Sequence, residues 1–147
     1  MIAYQWRGPF DSREVSALHA EAFGGQGGSG GAGDRGAGPR DWQAQVERHS
    51  LGWVCARDGG DLAGFVNVAW DGGAHAFILD TMVAAGMRRR GIGAGLVAVA
   101  VREARRAGCE WLHVDFDDEL RAFYLDACGF EPTAAGLIHL RPPLAPG

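Results

Sequence analysis

Residues 88–96 read RRRGIGAGL. Three arginines run into glycines at 91, 93 and 95, and a helical pattern starts there. Ile92, Leu96, Val99 and Ala100 share one face, widened by Val97, Val101 and Ala104. Backbone N–H groups at a helix start attract anions, and the helix dipole adds to the pull. Glycine lets the backbone approach a ligand closely, and flanking arginines add charge-assisted bonds to the same oxygens. The stretch therefore predicts an anion site, pyrophosphate being the natural guest. The helix behind it carries Arg105 and Arg106 in its last turn and stops at Gly108.

Working outward, WVCAR (53–57), LAGFVNVAW (62–70) and HAFILDTMV (75–83) are rich in β-branched and aromatic residues. DGGD (58–61) and DGGA (71–74) separate them, and Asp-Gly between such runs signals hairpins. A three-stranded antiparallel meander is expected. WLHVDF (111–116) follows the helix, so the crossover places it parallel to 75–83. Asp117 is expected to cap a further helix with Leu120, Phe123, Tyr124 and Ala127 on its face, ended by Gly129. Residues 133–140, with AAGLIHL as their core, read as a last strand. At the other end, Ile2–Trp6 reads as a strand. Asp11 and Glu14 form a capping box before Val15, Leu18 and Ala22, giving a helix near 12–23. Asp41 can cap a helix carrying Trp42, Val46 and His49. Between these helices, nine of the fifteen residues 24–38 are glycine, which predicts a flexible loop, inert or lid-like, inside a single domain spanning 1–147. The expected class is α/β: a mixed, mostly antiparallel sheet with one parallel pair, in the order β-α-α-β-β-β-α-β-α-β.

Composition narrows the function. A net charge of −4 argues against nucleic acid as the main partner. No apolar run approaches a membrane span, and the N-terminus lacks a secretory layout. Three cysteines without a C-x-x-C pair read as reduced thiols in a cytoplasmic protein. Five scattered histidines support no metal site.

Two well-known phosphate loops fit poorly. Gly86 and Gly91 have Walker A spacing, but Ile92 and Gly93 stand where Lys and Ser/Thr are needed. Gly91 and Gly93 begin a Rossmann fingerprint, with Asp115 at a suitable distance, but the third glycine position is Leu96 and the first glycine lies eight residues past Val83. The pattern V-x-x-x-x-R-x-x-G-x-G, from Val83 through Arg88 to Gly91 and Gly93, resembles the acetyl-CoA motif of the GNAT N-acetyltransferase superfamily. FYLDACGF (123–130) resembles that family's F-Y-x-x-x-G-F segment, and the element order is similar too. Ala85 stands where many members carry proline, and Asp117 where asparagine is common.

The resemblance implies helices on both faces of the sheet and a splay between strands 75–83 and 111–116. Backbone groups of Met82 and Val83 would take the pantetheine arm. The amides and side chains of Arg88, Arg89, Arg90, Gly91, Ile92, Gly93 and Ala94 would take the pyrophosphate of acetyl-CoA. It further implies Tyr124 as general acid and Asp80 as base, with His75 and Asp115 as fallback bases. Adjacent helical residues point about 100° apart, so Phe123 is expected in the core and the Tyr124 phenol in the crevice. Acidic residues at 80, 115 and 117–119 suggest a cationic amine acceptor, reached by direct attack in a ternary complex. A non-catalytic acyl-CoA sensor on the same fold is the alternative. Monomer and homodimer are both compatible with the sequence.

Overall fold

A computed structural model of the chain describes residues 1–23 and 40–141, so the glycine-rich stretch 24–38 lies outside the described residues. Five strands form one sheet in sequence order: β1 (Ile2–Trp6), β2 (Ser50–Asp58), β3 (Asp61–Trp70), β4 (His75–Val83) and β5 (Trp111–His113). Pairings from β1 to β4 are antiparallel, and β4 with β5 is parallel. Both hairpins are made by Asp-Gly as expected. Asp58 pairs with Asp61 around Gly59 at φ +62°. In the second turn Asp71 Oδ1 accepts from the amides of Gly73 (2.7 Å) and His75 (3.2 Å), with Gly72 at φ +83°.

Helix α3 (Ile92–Arg106) covers one face. Its Ile92, Leu96, Val97 and Ala100 meet Val54, Val66, Val68, Ala76 and Ile78 in the first core. Helices α1 (Ser12–Phe23) and α2 (Trp42–His49) cover part of the other face. There Val15, Leu18, Trp42 and Val46 meet Trp53, Phe65 and Met82 in a second core. Both helix starts are capped as their sequences suggest. Glu14 Oε1 accepts from the Asp11 amide (3.0 Å) while Asp11 Oδ1 accepts from the Arg13 amide (2.8 Å). Asp41 Oδ1 accepts from the Ala44 amide (3.0 Å). An ion pair fixes α1 to the sheet: Arg57 Nη1 donates to Glu14 Oε2 (2.5 Å) and Nη2 to Oε1 (3.0 Å).

The C-terminal third departs from expectation in three ways. Strand β5 is only three residues long, because beyond His113 the chain leaves β4. The expected helix after Asp117 is instead a 3-10 turn (Asp118–Leu120) and a π-helical turn (Ala122–Ala127), and Asp117 makes no side-chain cap. The wide turn lets Tyr124 drop into an aromatic box made by Phe116, Phe123 and Phe130, at ring distances of 5.1, 4.7 and 5.9 Å. Finally, 133–140 is not a strand in this chain: residues 131–140 are all exposed and carry no regular structure. A strand exists only by pairing, and this segment pairs with no strand among the described residues.

Candidate active site

The site begins with the departure of β5 from β4. The two strands pair at His75–Trp111, Ala76–Leu112 and Phe77–His113, and no further. Past that point β4 runs on against β3 to Val83–Gly64. A wedge therefore opens between residues 78–83 and the chain after 113, and the β4 edge facing it is unpaired. The bond from the Ala84 amide to Ala63 O (2.9 Å) fixes the alternation along β4. Met82 turns its backbone groups toward Phe65 and its side chain into the second core. Val83 turns its N–H and C=O into the wedge.

The β3–β4 register slips between Phe65–Met82 and Asn67–Leu79, so Val66 faces two residues, Asp80 and Thr81. This is a β-bulge, and Asp80 takes the left-handed conformation, φ +56°. Aspartate is among the few non-glycine residues that accept this region readily. The bulge bends β4 where the wedge opens and re-aims the side chains beyond it.

Tyr124 reaches the wedge from the π-helical turn, and its position reverses the sequence-based expectation. Tyr124 is buried, 6% exposed, while Phe123 is half-buried. The added residue per turn rotates the pair relative to an α-helix. Phe123 instead lies over Gly93: a Cβ there would meet Phe123 Cζ at 3.0 Å. Gly93 thus lets the turn pack on the start of α3. Burial pushes the Tyr124 phenol above its ordinary value; Thr81 beside it opposes the shift, and Cys128 and Asp115 add to it. Thr81 Oγ1 is buried without a hydrogen-bond partner, so its alignment with the phenol falls short of a bond. We treat Thr81 as a neighbour of the phenol and not as its acceptor.

At the mouth, β4 ends in a 3-10 turn (Ala85–Met87), and Glu21 of α1 holds that turn by accepting from the Ala85 amide at 2.5 Å. Arg88, Arg89 and Arg90 are exposed, Arg89 at φ +66°, and Gly91 caps α3 at φ +77°. The Gly95 amide bonds to Gly91 O (3.0 Å), the first bond of the helix. The amides of Ile92, Gly93 and Ala94 have no acceptor within the helix. Three amides without a helical acceptor and the helix dipole meet at the start of α3, next to the exposed Arg88, Arg89 and Arg90, while the Ile92 side chain points into the first core. The residues present thus match a pyrophosphate followed by an extended arm.

The structure brings Val83, Thr81, Tyr124 and the 88–94 loop around one opening, with Asp80 on the bulge. His75 lies elsewhere, with its Nδ1 2.8 Å from His113 Nε2 on the exposed sheet face. Asp115 is near enough to act on the Tyr124 phenol. Sequence reasoning missed Thr81, Glu21 and Phe116; only the proximity of Thr81 to Asp80 could have flagged any of them. A hollow of about 610 Å³ lies at the opposite end of α1, lined by residues that include Glu14 and Arg57. It is open to solvent and contains the structural ion pair.

No curated protein matches the chain in sequence. Solved structures match its fold closely. A GNAT-family acetyltransferase from Streptococcus pneumoniae is 20% identical with a TM-score of 0.71, covering 96% of this chain and 98% of that one. Glucosamine-6-phosphate N-acetyltransferase from Arabidopsis thaliana is 15% identical with a TM-score of 0.68, covering 93% and 97%. An aminoglycoside N-acetyltransferase in complex with CoA is 17% identical with a TM-score of 0.70, covering 96% and 95%. At these identities the likeness is one of fold. The sequence itself matches the Acetyltransferase (GNAT) family over residues 14–130, from the first helix to the end of the aromatic box. The chain belongs to the GNAT family of acetyltransferases.

Proposed function

We propose that this acetyltransferase moves an acetyl group from acetyl-CoA to the primary amine of a small cationic acceptor. The observation that carries the reading is the unpaired β4 edge leading from the free amides of 92–94 to the Tyr124 phenol. The pyrophosphate of the donor sits on the amides of 88–94 with Arg88, Arg89 and Arg90 around it. Its pantetheine arm runs along the wedge and bonds to Val83, and Met82 supports the floor from the core. The thioester then lies near Tyr124.

The acceptor amine arrives as an ammonium, drawn by Asp80, Asp115, Asp117, Asp118 and Glu119. Asp80, acting through water, takes the first proton. The amine nitrogen attacks the thioester carbonyl carbon, and its oxygen becomes an oxyanion that backbone N–H groups of the wedge can stabilise. The C–S bond breaks, the thiolate takes the Tyr124 proton, and the second amine proton leaves as the amide forms. One proton is released overall. A buried phenol stays protonated at neutral pH, which is what a donor requires. Most of the acceleration comes from holding amine and thioester together.

The test is free-thiol release from acetyl-CoA over a panel of polyamines, aminoglycosides, amino acids and peptide N-termini. Turnover with at least one small polycationic amine is expected. Tight acetyl-CoA binding with no turnover on any amine would favour the non-catalytic sensor. Burial pushes the Cys55 thiol up to about 11, and an enzyme-only blank accounts for the partly exposed Cys109 and Cys128.

A further inference from the structure

Residues 84–91 join the end of β4 to the start of α3, and they set where the arginines and the free amides stand relative to Val83. Their backbone is not an easy one. Arg89 lies in the left-handed region at φ +66°, which a Cβ disfavours, and Gly91 follows at φ +77°. Arg88, Arg89 and Arg90 are exposed, so packing does not hold them. Such a conformation persists only where its surroundings support it.

Two hydrogen bonds tie this link to other elements. The Ala84 amide donates to Ala63 O (2.9 Å) and so extends the sheet by one residue. The Ala85 amide donates to Glu21 Oε1 in the last turn of α1 (2.5 Å), 64 positions away in sequence. From there the contacts continue inside the link. The Met87 amide donates to Ala84 O (2.9 Å), and Arg90 Nη1 lies 3.3 Å from Met87 Sδ. A continuous series of contacts thus runs from α1 to the third arginine. Charge alone makes Glu21 a poor neighbour for this site, because a carboxylate repels the anion that the arginines attract. A charge-assisted bond to the Ala85 amide gives the carboxylate a different task.

We propose that Glu21 is a positioning residue for the acyl donor. By holding the Ala85 amide it fixes the 85–87 turn, and through that turn it sets Arg88–Ala94 where the pyrophosphate is received. Glu21 does not touch the donor. It spares the loop an ordering step that binding would otherwise have to drive. The proposal rests on the donor site of the proposed function and is independent of which amine is acetylated.

The test is acetyl-CoA affinity of the full chain by calorimetry, with the melting temperature measured beside it. Glu21→Ala should weaken binding about tenfold and move the melting temperature by less than about 2 °C, since the side chain is exposed. Glu21→Gln keeps the accepting oxygen and removes the charge, so it should bind within about threefold of the unsubstituted chain. Ala85→Pro removes the donor and stiffens the link by itself. Ala84 already has φ −57° and ψ 139°, the extended form that precedes proline, and Ala85 opens the turn, whose own bond uses the Met87 amide. Ala85→Pro should bind within about threefold of the unsubstituted chain, and adding Glu21→Ala to it should change nothing further.

Undiminished affinity in Glu21→Ala overturns the proposal. So does a Glu21→Gln chain as weak as Glu21→Ala, which would assign the effect to charge, and so does a loss that persists in the Ala85→Pro background. The chain with Arg88, Arg89 and Arg90 replaced together by alanine separates two failures. If it binds weakly while Glu21→Ala binds normally, this proposal alone fails; if it binds normally, the donor site fails and the proposal with it. Should Ala85→Pro not fold, exchange of the Ala85 amide decides. Slow exchange in the unsubstituted and Glu21→Gln chains with fast exchange in Glu21→Ala supports the proposal, and equal exchange in all three overturns it.

Discussion

Strands β2 and β3 are covered on both faces, while β4 and β5 are covered on one and a half. Five of the nine residues of β2 and six of the ten of β3 are buried in unbroken runs, with α3 above and α1 and α2 below. Along β5 the pattern is exposed, half-buried, exposed, and Trp111 is 62% exposed. The first half is sealed by its own chain. The second leaves a strand edge, a wedge and a sheet face unfilled among the described residues, and the proposed function puts the acyl donor in that wedge. Incomplete packing in one half of a well-packed sheet is therefore informative about function, because hydrophobic and backbone groups left open there have few other reasons to stay open.

The comparison can be broken or sharpened by substitution. The largest effect belongs to the sealed half. Phe65, fully buried and in edge contact with Phe10 and Trp42, should cost about 3–5 kcal/mol of stability as Phe65→Ala, read by chemical denaturation. A loss below about 1 kcal/mol would mean that the second core is looser than it looks. Next comes the mouth of the wedge. Replacing Arg88, Arg89 and Arg90 together by alanine should weaken acetyl-CoA binding about a hundredfold in calorimetry, with the melting temperature nearly unchanged, since all three are exposed. Equal affinity would place the pyrophosphate elsewhere.

The Glu14–Arg57 pair belongs to the sealed half and gives a pH signature. Its hydrogen bond to Arg57 holds the Glu14 carboxyl below its usual value, against the opposing effect of burial. A carboxyl lowered on folding stabilises above its unfolded pKa, near 4.3, and that stabilisation is lost as pH falls through the folded value. Arg57→Ala should therefore lower the melting temperature by several degrees at pH 7, and the gap to the unsubstituted chain should narrow below about pH 4. A gap that does not depend on pH would assign the loss to the bonds from Arg57 to Pro9 O and Gly60 O. The smallest expected effect is in the wedge itself. Tyr124→Phe should reduce kcat by at least about tenfold with acetyl-CoA affinity changed less than about threefold. In the unsubstituted enzyme the acid must be protonated, so no alkaline fall in kcat from Tyr124 is expected below about pH 10. Full activity of Tyr124→Phe would reduce the residue to packing among Phe116, Phe123 and Phe130.

How much of this was legible in the sequence follows the same division. Asp58-Gly59, Asp71-Gly72, the Asp11–Glu14 box and the Gly91 start of α3 are local signals, each set by a few neighbouring residues, and each forms as its sequence suggests. The Phe123–Tyr124 phase was misread because it depends on a π-helical turn, in which Tyr124 packs against Phe116 and Phe130 from outside the turn. The bulge at Asp80 depends on register against β3, a partner thirteen or more positions away, so its left-handed backbone left no mark in the sequence. Segment 133–140 has a strand-like pattern but forms no strand, because pattern alone does not supply the neighbouring edge a strand needs.

The left-handed backbone at Asp80 limits which descendants this enzyme can have. Glycine, asparagine and aspartate enter that region cheaply, whereas alanine, glutamate or histidine would each carry a strain of about 1 kcal/mol or more. Of the residues that suit the bend, only aspartate can also accept a proton. Lengthening the carboxylate to glutamate or exchanging it for imidazole is opposed by the backbone before chemistry is consulted. Losing the charge through asparagine is nearly free of conformational cost. A lineage that abandoned the reaction would be expected to keep the bent strand and change a single oxygen to nitrogen, and if Asp80 is the base of the proposed function, a deep mutational scan should find position 80 favouring glycine, asparagine and aspartate for folding and confined to aspartate for turnover.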